Sequence, residues 1–133
     1  IKPIDGLNVL SKITPTLYMN GIETCDVIVE AIIENEEVKK IVLADIESAA
    51  REDSVITSNT STISINRLAS VLARPENFCG LHFFNPVHAM PLVEIVRSKH
   101  SSDTAVATLC DYVLGLGKKA GWRDGGAPGG QPI

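Results

Sequence analysis

The sequence contains no apolar run approaching the ~20 residues that a membrane-crossing helix needs, so no spanning helix is expected. It also lacks a basic excess. Twelve Lys and Arg stand against 16 Asp and Glu, a net charge of −4, and no basic stripe runs along any segment. A nucleic-acid partner is therefore not expected. Cysteine is scarce: Cys25, Cys79 and Cys110 are odd in number and widely spaced. That set suits neither a disulfide framework nor a metal knuckle. Each lies among apolar residues and reads as small core filler, a usage that fits a reducing compartment. There are no internal repeats. Ile1 to Gly6 lack the long apolar core of a signal peptide. The chain starts at Ile rather than Met, so it reads as a fragment, with a leader left open.

What is present is ordinary for a soluble globular protein. In 133 residues, 44% are hydrophobic and 21% charged, enough for one modest domain with a real core. Leu7 to Thr14 reads as a helix end or a short strand, stopped by Pro15. Asp26 to Ile33 is a near-continuous, β-branched run, the pattern of a strand covered on both faces. Glu34-Asn35-Glu36-Glu37 opens a helix, its acids favoured by the positive end of the helix dipole. Val38, Ile41, Val42, Ile46 and Ala49 mark its expected apolar face. Ser54 to Asn59 reads as a second strand. Ile65, Leu68, Ala69 and Leu72 mark a second helix, capped by Ser61, Thr62 or Ser64 and broken at Arg74-Pro75. Asn77 to Phe84 and Leu92 to Val96 read as further strands. Ser101-Ser102-Asp103 caps a third helix with Val106, Leu109, Cys110 and Val113 on its apolar face, ended by Gly115 and Gly117. Gly121 to Pro132 is rich in Gly and Pro without apolar period, and reads as a disordered tail or linker.

Strands alternating with helices imply right-handed βαβ units and an α/β, doubly wound, mainly parallel sheet. Ligands of such sheets sit beyond the carboxyl ends of the strands. Three polar clusters fall there: Glu34, Ser58 to Ser61, and His82 to Asn85. His82 stands in an apolar run, Gly80-Leu81-His82-Phe83-Phe84-Asn85-Pro86, and Glu94 in a second, Pro91 to Val96. A histidine and a glutamate set among residues that prefer burial can form a base and its orienting partner. Taken alone, each has a plainer reading. His82 fits a hydrogen-bonded core histidine, Glu94 an exposed strand residue, Ser61 a helix cap, and Lys39 a solvated helix residue. Glu30 interrupts a buried strand and receives no catalytic role. His88 and His100 read as surface residues, and with His82 they make no metal site.

Glu34-Asn35 with Lys39, Ser58-Asn59-Thr60-Ser61, Gly80 to Val87, and Pro91-Leu92-Val93-Glu94, in that order and spacing, resemble the NAD-binding domain of the 3-hydroxyacyl-CoA dehydrogenases. The likeness covers roughly residues 4 to 119. It is strongest to the dehydrogenase part of the alpha subunit of the bacterial multifunctional fatty-acid oxidation complex. The resemblance implies a Rossmann-like fold, NAD as cofactor, and oxidation of 3-hydroxyacyl-CoA to 3-ketoacyl-CoA in fatty-acid β-oxidation. It implies His82 as the base, Glu94 as its orienting carboxylate, and Ser61 and Asn85 lining the reacting pocket. Ile33, Glu34, Lys39 and Ser61 are implied to contact the nicotinamide side of the cofactor. The implied parent is oligomeric, with a thiolase subunit as a candidate partner. It would be cytoplasmic in a bacterium and mitochondrial or peroxisomal in a eukaryote.

Two departures accompany the resemblance. The family's first strand and G-x-G-x-x-G turn, which hold the pyrophosphate, find no counterpart. After Gly117 the family's next strand and turn are replaced by Lys118 to Trp122 and the Gly/Pro tail. The expectation is the later half of a Rossmann domain over 1–119, without the first βαβ unit, followed by an atypical tail over 120–133. Such a chain should bind NAD weakly, and the Val27 strand should lie at a sheet edge, where unpaired backbone groups invite self-association. Two functions stay open: the NAD-dependent dehydrogenase, or a truncated or degenerate non-catalytic relative that keeps only the fold.

Overall fold

The computed structural model describes residues 3–125. A helix α1 (Pro3–Leu10) leads through an irregular stretch to strand β1 (Val27–Glu30). Then follow α2 (Glu36–Ala49), β2 (Val55–Ser58), α3 (Ile65–Ala69), β3 (Phe78–Phe83), β4 (Leu92–Arg97), α4 (Asp103–Gly115) and β5 (Lys119–Asp124). The strands form one sheet in the order β1-β2-β3-β4-β5. β1, β2 and β3 run parallel, joined by helical crossovers. β4 is antiparallel to β3, because the Phe84 to Pro91 connection carries no crossover helix. β5 is again parallel to β4. The mainly parallel α/β sheet expected from the sequence is therefore present, and β1 lies at its edge among the described residues.

The two sheet faces follow the alternation of side chains along each strand. Ile28, Ile56, Phe78 and Val96 face α2 and α3, where they pack with Leu43, Ile46, Ile65 and Leu68. Val55, Cys79, Leu81, Val93 and Ile95 face α4, against Ala105, Leu109 and Val113. Gly80 marks a close helix approach: a Cβ there would stand 2.8 Å from the Ile65 Cδ1 and 3.0 Å from the Val96 Cβ. Local signals set the helix ends. The Asn35 side chain accepts from the Val38 N–H, and the Ser102 side chain from the Ala105 N–H. Gly117, at φ +76°, takes the left-handed turn after α4.

Three expectations need correction and a fourth, the cap of α3, is narrowed. β1 stops at Glu30, and Ala31 to Ile33 are exposed, because the chain leaves the sheet there to form the turn into α2. Ile41 does not join the buried face of α2. It is exposed, while Lys39, Leu43, Ile46 and Glu47 face inward, since two of these polar side chains find internal partners that periodicity of apolar residues does not count. Among the three candidate caps of α3, Ser64 holds the position without a side-chain bond. The Thr60 hydroxyl instead accepts from the Ile63 N–H. The tail read as unstructured begins too early: Gly121 to Asp124 complete β5 by pairing with β4, a partner that composition alone does not reveal. The remainder of that tail, from 126, lies outside the described residues.

Leu7 and Leu10 of α1 and Leu17 and Tyr18 beyond it are exposed. Cys79 is buried, Cys25 and Cys110 half-buried, and all three are free. Burial pushes the Cys79 thiol above its ordinary range, which suits inert filler. Among the described residues, no helix is long and apolar enough to cross a membrane, and no group of acids, Cys and His could hold a metal ion.

Candidate active site

The carboxyl ends of β1, β2 and β3 carry the three polar clusters to one rim, as the sequence pattern requires. They are stitched together there. The Asn59 N–H donates to the Glu30 carbonyl of β1, and the Asn59 Oδ1 accepts from the Phe83 N–H of β3 at 2.9 Å. Asn59 thus bridges three strands at the point where each enters a loop.

At the β1–α2 turn, Glu30 and Lys39 are both buried, and Lys39 Nζ donates to Glu30 Oε1 at 2.6 Å. The same ammonium donates to the Ile32 carbonyl at 3.2 Å and stands 3.8 Å from Glu34 Oε1. Glu30 Oε1 also accepts from the Ile32 N–H, and Oε2 accepts from the Ser58 hydroxyl. Lys39 is therefore not a solvated helix residue. Sequence reasoning set Glu30 aside, yet it is the anchor of the turn. The available signal was a lone carboxylate in a buried strand, which demands a partner.

Glu34 stands further out, its side chain 39% exposed. It accepts from the Thr60 hydroxyl and the Ser61 N–H, each at 2.8 Å. Burial alone raises its pKa. The bonds from Ser61, Thr60 and Thr62 and the charge of Lys39 outweigh this and hold it below the ordinary 4.5. Ser61 is exposed, and so is Ile33, which brings an apolar side chain to the same ledge.

His82 and Glu94 are direct partners in the β3–β4 register. Both are largely shielded, with side-chain exposures of 14% and 17%. Their closest approach, His82 Nδ1 to Glu94 Oε1, is 3.8 Å, too long for a hydrogen bond. The base and orienting carboxylate expected from the sequence therefore face each other without a hydrogen bond. Glu94 Oε1 instead accepts from Arg123 Nη2 of β5 at 2.7 Å. Arg123 went unnoticed in the sequence because it lies in the segment read as a tail. His82 Nδ1 is buried with no hydrogen-bond partner among the described residues. The His82 ring meets Phe84 edge-on, with centroids 4.6 Å apart.

Asn85 follows in the exposed β3–β4 loop, and its peptide bond to Pro86 is cis. That loop is fastened by Lys118 Nζ, which donates to the Val87 and Met90 carbonyls at 2.5 and 2.7 Å. Nothing in the sequence alone pointed to Lys118. His88 and His100 are exposed, as expected. A cavity of about 180 Å³ opens beside Glu94, lined by Leu92, Gly121, Trp122 and Arg123. Larger clefts lie elsewhere. One sits by Asn66, Arg97 and Lys99 at the opposite rim, one along Lys12 to Cys25 and one by Ala69, Pro75 and His100, and none of these includes His82.

A mainly parallel, helix-covered sheet with polar groups gathered at its carboxyl rim is a Rossmann-like domain. The chain belongs to the family described as 3-hydroxyacyl-CoA dehydrogenase, NAD binding domain, whose model matches residues 4–120. Solved structures agree. It is similar to a 3-hydroxybutyryl-CoA dehydrogenase from Escherichia coli K12 (31% identity, TM-score 0.89), covering 93% of this chain and 26% of that one. An (S)-3-hydroxybutyryl-CoA dehydrogenase from Ralstonia eutropha matches at 35% identity and TM-score 0.90, over 94% of this chain and 44% of that one. The dehydrogenase part of a multifunctional enzyme from C. elegans matches at 30% identity and TM-score 0.87, over 92% and 29%. The chain therefore spans between about a quarter and under half the length of these structures.

Proposed function

We propose that this chain is the base-bearing part of an enzyme that oxidises 3-hydroxyacyl-CoA to 3-ketoacyl-CoA with NAD, in fatty-acid β-oxidation. The observation that carries this reading is the cross-strand placement of His82 opposite Glu94, both shielded, at the carboxyl rim. The rim residues fit the nicotinamide half of a dinucleotide. Ile33 offers an exposed apolar surface to a ring, and Glu34 and Ser61 offer a fixed carboxylate and a hydroxyl beside it. Within the 133 residues there is no G-x-G-x-x-G cradle for the pyrophosphate. When bound, NAD supplies a hydride acceptor.

The chain's own residues do the rest. His82 would take the 3-hydroxyl proton of the substrate on the ring nitrogen that does not face Glu94. Glu94, facing the imidazole at 3.8 Å, stabilises its protonated form by charge. Ser61 and Asn85 line the reacting pocket from the β2 and β3 loops. Lys39 contributes through Glu34 and the Ile32 carbonyl, holding the nicotinamide-side ledge in place. The parent enzyme is an oligomer in a reducing compartment: the cytoplasm of a bacterium, or the mitochondrion or peroxisome of a eukaryote. A thiolase subunit is its candidate partner.

In an enzyme carrying this segment, His82→Ala should lower kcat by about 10²–10⁴-fold, the scale of a lost general base. Near-normal turnover of 3-hydroxybutyryl-CoA by that variant removes His82 from the mechanism. A second reading, a relative that keeps the fold without turnover, is favoured by one observation: Arg123, not His82, holds Glu94.

A further inference from the structure

Glu94 stands between two possible partners, and the sheet register explains which one reaches it. Alternate residues share a face. His82, Glu94 and Gly121 form one cross-strand row on the α2–α3 side, and Gly80, Val96 and Arg123 form the next. Gly121 has no side chain, so nothing at that position stands beside Glu94. A Cβ added there would come within 3.2 Å of Leu92 Cδ1. Arg123, its side chain 2% exposed, reaches back along its own strand and meets Glu94 Oε1 at 2.7 Å. The His82 nitrogen facing the same oxygen is left at 3.8 Å.

The contest is unequal on physical grounds. A guanidinium is always charged and donates in a fixed fork, whereas imidazole is charged only when protonated. In a site shielded from water, a permanent cation at bonding distance dominates the field at the carboxylate. The other nearby cations do not replace it. The Lys118 ammonium is bound to the Val87 and Met90 carbonyls, and Lys119 is exposed.

We propose that Arg123 is a positioning residue that competes with His82 for Glu94, so that β5 keeps the base and its carboxylate in register but unbonded. The inference rests on the reading of His82 and Glu94 as a base and its orienting group. With Arg123 neutralised, Glu94 turns to the donor that faces it across the β3–β4 register, the His82 Nδ1–H, and the pair closes. Arg123 thus sets whether the site is coupled, without touching substrate or cofactor.

Nitrogen-15 histidine NMR on the full 133-residue chain tests this directly. The other two histidines, His88 and His100, are exposed, so a ring N–H protected from exchange belongs to His82. The parent should show no hydrogen-bonded Nδ1–H signal. Arg123→Met should show one at low field, and adding Glu94→Leu, which removes the acceptor, should abolish it. Arg123→Leu carries the same expectation if the methionine variant does not fold. A bonded Nδ1–H signal already present in the parent overturns the proposal, whatever the variants do. So does its absence from a folded Arg123→Met or Arg123→Leu. The measurement uses neither NAD nor acyl-CoA. A dehydrogenase assay in which His82 proves dispensable would count against the enzymatic reading alone.

Discussion

The β1–β2 rim and the β3–β4–β5 rim each bring charged side chains out of strands into a shielded setting, and they end differently. At the first, both carboxylate oxygens of Glu30 are engaged, by Lys39, the Ile32 N–H and the Ser58 hydroxyl. At the second, Glu94 is held by Arg123, while His82 Nδ1 has no hydrogen-bond partner among the described residues. The difference lies in how the partners are delivered. Lys39 follows Glu30 by nine residues, across one turn and the start of one helix, so local geometry fixes the contact. Glu94 meets His82 only through strand register, and meets Arg123 across 29 residues and the α4 crossover. Long-range delivery by register leaves room for an unintended neighbour. One arginine, beside one glycine, takes it.

Breaking the satisfied region should have the largest effect. Lys39→Met leaves Glu30 buried and without its cation, and should cost about 3–5 kcal/mol, read as a lowered urea midpoint. Adding Glu30→Gln should recover much of that loss. A single-variant cost under about 1 kcal/mol would mean that the pair does not act as a buried unit.

A middle-sized effect is expected at the boundary between the regions. Gly80→Ala sets a methyl group against Ile65 and Val96, and overpacking of this kind should cost about 1–3 kcal/mol by the same urea measurement. The strain falls two residues before His82, so the His82 ring resonances should move as well. An alanine that is accepted at no cost, with those resonances unmoved, would show that Ile65 swings aside freely and that α3 does not position the base.

The smallest effect sharpens the comparison at Glu34, the exposed end of the satisfied rim. Its pKa is lowered on folding, so its contribution is complete above the ordinary 4.5 and fades as pH falls through the lower folded value. With its side chain 39% exposed, solvent screening keeps that contribution below about 1 kcal/mol. Glu34→Gln should therefore be slightly less stable than the parent at pH 7, and the gap should close on acidification. A gap that stays constant from pH 7 to pH 3, followed by chemical denaturation, would assign the loss to packing rather than charge. Calorimetry should also find NAD binding to this chain weak, since the pyrophosphate cradle does not occur in its sequence. Micromolar affinity would point to a phosphate site on another element.

Much of the fold was legible because it is written locally. The start of the β-branched run at Val27, the Ser102 cap and Gly117 after α4 act over a few residues, and each lies where the sequence pattern set it. The polar clusters could be placed on one rim because alternating strands and helices force parallel order. Boundaries were less legible. Ile41 fits the apolar period of α2 and is nonetheless exposed, because Lys39 and Glu47 turn inward to partners of their own. Glu47 accepts from the Ala73 and Arg74 N–H groups, a contact across the sequence that no helical period encodes.

By itself, then, the sequence determined most element types, the parallel order of β1 to β3, the gathering of Glu34, Ser61, His82 and Asn85 at one rim, and the family they belong to. These depend on propensity, period and motif, which are properties of neighbouring residues. Tertiary structure alone decided that β5 continues through Asp124 and that Arg123 rather than His82 bonds Glu94. Each of these turns on which side chains meet across strands, and on differences of about 1 Å in reach that separate a hydrogen bond from mere proximity.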